Sequence, residues 1–120
     1  MKRSVWLIGV LVCAGCVQPP PAPPPKPFAF ESGRTPYSAA ICIARNARNL
    51  ANITAEERIL GDSAWEVIVR AGAETLAMAE AHNRGTGSLV TLRVTRDYRG
   101  NPADFARRLL SDCQAQPVER

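Results

Sequence analysis

The chain is short of most groups that carry catalysis or hold metal. Histidine occurs once, at His82, and Cys42 and Cys113 lie too far apart in the chain to form a Cys-x-x-Cys pair, so no zinc-ligand spacing is present in the domain. No Walker loop, Gly-x-Ser-x-Gly elbow or His-Glu-x-x-His helix occurs. Arg84-Gly85-Thr86-Gly87-Ser88 lacks the third glycine of a dinucleotide-binding loop and precedes a strand pattern where that motif precedes a helix; it reads as a hairpin loop. Glu56-Glu57 is explained by helix capping before paired-carboxylate chemistry is needed. No metal, no cofactor and no enzymatic activity are therefore expected.

Length and charge exclude further classes. A chain of 120 residues is too short for a barrel or a doubly wound sheet. Its net charge of +4 invites a nucleic-acid reading. Lys2, Arg3 and Lys26, however, carry most of the excess. From Phe28 onward there is no lysine, and arginine exceeds Asp+Glu by a single charge. Aromatic residues make up 6% of the chain and do not interleave with the arginines, as single-stranded nucleic-acid binding would require. Nucleic acid is not an expected partner.

What is present begins at the N-terminus. Met1-Lys2-Arg3-Ser4 is followed by an apolar run, Val5 to Val12, and then by Cys13-Ala14-Gly15-Cys16. This is the layout of an export signal, and the run is far shorter than the roughly 20 residues of a membrane-spanning helix. At Ala14-Gly15-Cys16 the sequence resembles a bacterial lipoprotein precursor, with Cys13 where the family pattern favours an aliphatic residue. The resemblance implies cleavage after residue 15, lipidation of Cys16 and attachment to a membrane. Because Val17, and not Asp, follows Cys16, it also implies outer-membrane sorting, with the protein on the periplasmic face.

Three segments are expected: a signal at 1–15, a lipidated cysteine with a proline-rich tether at 16–35, and a small domain at 36–120. Val17 to Pro27 is dominated by proline, which fixes φ and removes amide donors. Such a segment is a polyproline II spacer, reaching roughly 34 Å at about 3.1 Å per residue.

For the domain the expected class is α+β: an N-terminal helix, a three-stranded antiparallel meander and a C-terminal helix. Thr35-Pro36 and Asn101-Pro102 each place a capping side chain before proline at the first helical position. Thr54-Ala55-Glu56-Glu57 fits a capping box opening a short helical turn that Gly61 ends. Trp65 to Arg70 and Leu89 to Tyr98 alternate with one apolar face, the mark of an antiparallel sheet. Residues 73–83 are expected to be the middle strand, with Leu76 and Met78 on one face and the alanines on the other. The alternative is a middle helix in an αβαβα order.

Cys42 and Cys113 are an even pair in an exported domain, which predicts a disulfide. It would close a loop of roughly 70 residues, worth about 4 kcal/mol in chain entropy. Because Cys42 lies on the polar flank of its helix, the last helix must pack on that flank. The richest polar cluster is Arg93, Arg96, Tyr98 and Arg99, and with Arg70 it forms the expected partner surface. The resulting expectation is a non-enzymatic lipoprotein serving as accessory or structural subunit of an envelope assembly. The alternative is a periplasmic binding or inhibitor module for a soluble partner such as a cell-wall hydrolase.

Overall fold

The computed structural model describes residues 27–114. The signal, Cys16 and the proline segment up to residue 26 lie outside the described residues. Within them the order is β1 (Phe28–Ser32), α1 (Pro36–Arg48), β2 (Thr54–Ile59), β3 (Ala64–Ala71), β4 (Glu74–Arg84), β5 (Gly87–Val94) and α2 (Pro102–Leu109). All five strands form one antiparallel sheet, ordered β1-β5-β4-β3-β2. This corrects the expected three-stranded meander between two helices. The meander has a fourth strand, β2, and a fifth, β1, closes the other edge; the αβαβα alternative is excluded, because 73–83 lies in β4.

Each addition has a physical cause. Phe28-Ala29-Phe30-Glu31-Ser32 alternates, and its phenylalanines join the core when β1 pairs with β5, Phe28 against Leu92 and Phe30 against Val90. The folded unit thus takes in residues that the expected tether, 16–35, assigned to linker. Thr54–Ile59 matches a capping box, but pairing with β3 from Thr54↔Arg70 to Ile59↔Trp65 overrides that local preference. Opposite charges assist: Arg70 Nη1 lies 3.3 Å from Glu56 Oε2, and Arg58 Nη1 lies 3.9 Å from Glu66 Oε1.

The helix starts follow the caps. Thr35 Oγ1 accepts from the Ser38 N–H at 3.3 Å, and Asn101 Oδ1 accepts from Ala103 and Asp104 at 2.9 and 3.2 Å, each ahead of a first-turn proline. Both helices pack on one side of the sheet, α1 across β2 to β5 and α2 beside α1 and β5. The core forms between them from Ile43, Val67, Val69, Val90, Leu92, Val94 and Leu109. Alanines line its centre: Ala39, Ala40, Ala44 and Ala47 from α1 face Ala77, Ala79 and Ala81 of β4.

That arrangement inverts the expected faces of β4. The register shifts between Val69 and Arg70, where Val69 pairs with Ala77 but Arg70 with Thr75. The extra residue, Leu76, is buried, and beyond it the alanines point to α1 while Met78, Glu80 and His82 point away. The turn between β4 and β5 is Gly85-Thr86, and Gly85 takes φ +64, which two-residue hairpin turns demand.

Candidate functional site

Cys42 and Cys113 form a disulfide with Cα atoms 5.7 Å apart. Cys113 is not part of α2, which ends at Leu109. It lies in the turn after the helix, folded back onto α1. Asn46 on α1 holds that turn, its amide donating to the Leu109 and Ser111 carbonyls, both at 2.8 Å. The first is a carbonyl that the helix end leaves without an intrahelical partner, and the second belongs to the turn beyond it. On the other side the Ser32 hydroxyl donates to Cys113 O at 2.7 Å, and the Gly33 N–H donates to Gln114 O at 2.8 Å. The bridge, Asn46 and Ser32 therefore fasten the C-terminal turn to both α1 and β1. Between this turn and α1 lies an open depression of about 490 Å³, where Arg34 donates to Ser38 Oγ at 3.1 Å and to Asp112 O at 2.9 Å. Its guanidinium is thus part of the same fastening.

The sheet face away from the helices is polar and mixed in sign. Glu31, Glu56, Glu66 and Glu80 interleave there with Arg58, Arg70, Arg84 and Arg93. Besides the two β2–β3 pairs, Arg84 Nε lies 3.4 Å from Glu31 Oε1, and His82 Nε2 lies 3.2 Å from Glu80 Oε2. Ile68 sits in the middle of this face but is only 5% exposed. It stands between its cross-strand partners, Glu56 of β2 and Met78 of β4.

The structure divides the expected partner surface. Arg70 and Arg93 do share the open face, on β3 and β5 with β4 between them. Arg96 and Arg99 are exposed in the segment after β5. Tyr98 is half-buried and stacks on Phe105, with ring centroids 4.1 Å apart and planes 12° apart, and packs against the core. One side of its ring is thus committed to the core, and the rest remains partly exposed. Cys16 lies outside the described residues.

A second surface escapes the sequence reading. Where β2 turns into β3, Ile59 is 66% exposed and Tyr37 54%, and Leu60 is exposed as well. Tyr37 and Trp65 meet with ring centroids 4.9 Å apart, and Ile59 pairs across to Trp65. These apolar side chains flank β2, the sheet edge opposite β1. The available signal was the alternation of Ala55 and Ile59 with Thr54, Glu56 and Arg58, which Glu57 interrupts.

Among the described residues no group of three or more His, Cys, Asp or Glu side chains is placed to hold a metal ion, and no helix is long and apolar enough to cross a membrane. No protein-family model, curated protein or solved structure matches the chain.

Proposed function

We propose that the chain is a lipid-anchored outer-membrane lipoprotein whose domain, held in the periplasm on a proline spacer, is a non-enzymatic accessory or structural subunit of an envelope assembly. The observation that carries the reading is the placement of the two sheet edges. The proline segment leads directly into β1, one edge of the sheet. The apolar cluster of Tyr37, Ile59 and Leu60 lies at the other edge, four strand spacings or about 19 Å away. An anchor entering at β1 leaves that second edge open to a protein partner. The disulfide supports an exported address, since such bonds persist in oxidising compartments.

Metabolic labelling with a palmitate analogue tests the anchor: wild type takes up label and Cys16→Ser does not. Equal labelling of the two overturns it. Cross-linking in intact cells followed by purification of the full chain tests the assembly, with several envelope proteins as the expected yield. Recovery of one soluble enzyme alone overturns the subunit reading in favour of an inhibitor.

A further inference from the structure

We infer that the open edge strand β2 pairs with β2 of a second copy of this chain, joining two five-stranded sheets into one. The inference is independent of the lipid anchor and rests on which backbone groups point outward and on the charges between them.

The Leu60 N–H donates to Ala64 O at 2.9 Å. Antiparallel pairs alternate between hydrogen-bonded and non-hydrogen-bonded. With the register running from Thr54↔Arg70 to Ile59↔Trp65, the backbone groups of Thr54, Glu56 and Arg58 are directed at β3. Those of Ala55, Glu57 and Ile59 are directed away from the sheet. The Ala55 carbonyl agrees, since it accepts from Arg48 Nη2 on α1 at 2.9 Å; its second lone pair remains for another donor. The β1 edge offers less. Gly33 already donates its N–H to Gln114 O, and Pro27, on the same outward alternation, has none to give.

Only one register suits β2 against itself. Centred on Glu57, it pairs Ala55 with Ile59 of the second copy, Glu57 with Glu57 and Ile59 with Ala55, so every outward N–H and C=O gains a partner. Between these pairs Glu56 stands opposite Arg58 of the second copy, twice by symmetry. A shift in one direction sets Glu56 against Glu56, and in the other Arg58 against Arg58; each shift also leaves an outward residue unpaired. The like charges at the centre are already compensated, because Arg48 Nη1 lies 2.9 Å from Glu57 Oε1 within each copy. Ile59, the most exposed of the large apolar residues, is brought against Ala55 of the other copy on the helix-bearing face. The two-fold operation keeps all helices on one side and both open polar faces on the other.

The contact is small for a stable dimer, so a weak, concentration-dependent association is the expected state. The test is sedimentation equilibrium of the full-length chain in detergent, from micromolar to millimolar concentration. Four proteins are compared: wild type, Glu56→Arg, Arg58→Glu and the double variant. Wild type is expected to pass from monomer to dimer. Each single reversal places like charges opposite one another twice and should weaken association by about tenfold, while the double swap restores complementary pairs and brings it back. A wild type that stays monomeric throughout overturns the inference. So do single variants that associate as wild type does, or a double variant that keeps the wild-type circular dichroism and thermal midpoint, despite losing the pairs of Glu56 with Arg70 and Arg58 with Glu66, yet associates no better than its parents. Recovery in the double variant also excludes misfolding as the cause of the single losses.

Discussion

Removing the disulfide is the sharpest perturbation of this fold. Cys42 and Cys113 are 71 positions apart. Closing a loop of that length lowers the entropy of the unfolded chain by about 4 kcal/mol at room temperature. A folded unit of this size has a total stability on the order of 4–13 kcal/mol, so the cross-link supplies a third or more of it. The native contacts on either side are independent of the sulfur atoms. Asn46 still reaches the Leu109 and Ser111 carbonyls, and Ser32 still reaches Cys113 O through the backbone. The Cys42→Ala/Cys113→Ala variant should therefore fold to the same structure and lose stability chiefly through its unfolded state. With a urea dependence of about 1–2 kcal/mol per molar, the unfolding midpoint falls by roughly 2–4 M. Far-UV circular dichroism and the fluorescence of Trp65, whose ring meets Tyr37, follow the transition. A fall of less than about 0.5 M in urea would show that the chain-entropy argument fails here.

The remaining perturbations separate backbone, core and surface. A Cβ at Gly87 would stand 2.1 Å from the Ser32 carbonyl oxygen, a backbone atom that cannot swing aside, so Gly87→Ala must displace β1 from β5. It should destabilise by about 1–3 kcal/mol and speed amide exchange in Phe28–Ser32 ahead of the rest of the sheet. Tyr98→Ala removes the ring stacked on Phe105 and should destabilise by about 2–3 kcal/mol in urea unfolding. Arg93→Ala, exposed on the open face, should change stability by less than about 0.5 kcal/mol, and comparable losses in the two would contradict the separate places assigned to them.

The parts of the fold that were legible are those written in local chemistry. Thr35-Pro36 and Asn101-Pro102 announce the helix starts because a cap and its amides lie within three residues of each other. The apolar alternation of β3 and β5 is equally self-contained. The pairing of Cys42 with Cys113 followed from there being two cysteines in the domain, although the turn that delivers Cys113 was not foreseen. Hidden elements depend on distant partners. Phe28–Ser32 acquires its strand only from β5, across the whole domain, and its proline-rich neighbour disguised it as linker. In β2 a local signal pointed the wrong way: Thr54 and Glu57 have the spacing of a capping box, yet Glu57 is held by Arg48 and the segment pairs with β3. The bulge beside Val69 then reversed the faces of β4, which no count of alternating residues detects. Among the surface residues, Tyr98 stands between arginines in the sequence as a partner contact would, and its stacking on Phe105 depends on a residue seven positions away that the local pattern does not announce.

The alanine-lined contact between α1 and β4 links stability to surface in this molecule. Small side chains on both elements let the helix lie close to the sheet and leave no room for larger ones between them. Apolar burial stabilises by about 25 cal/mol per Å², so a contact built from methyl groups contributes less than one built from leucines. Larger buried residues such as Ile43, Leu92, Phe105 and Leu109 pack around this contact, while Ile59, Leu60 and Tyr37 stand exposed at one edge and Met78 on the open face. Replacing the alanines by larger residues would lift α1 away from β4 and separate Asn46 from the carbonyls it caps. With so many alanines at the centre of the core, the cross-link supplies a substantial share of the stability. The fold also leaves apolar area at the β2 edge, where a second chain can cover it.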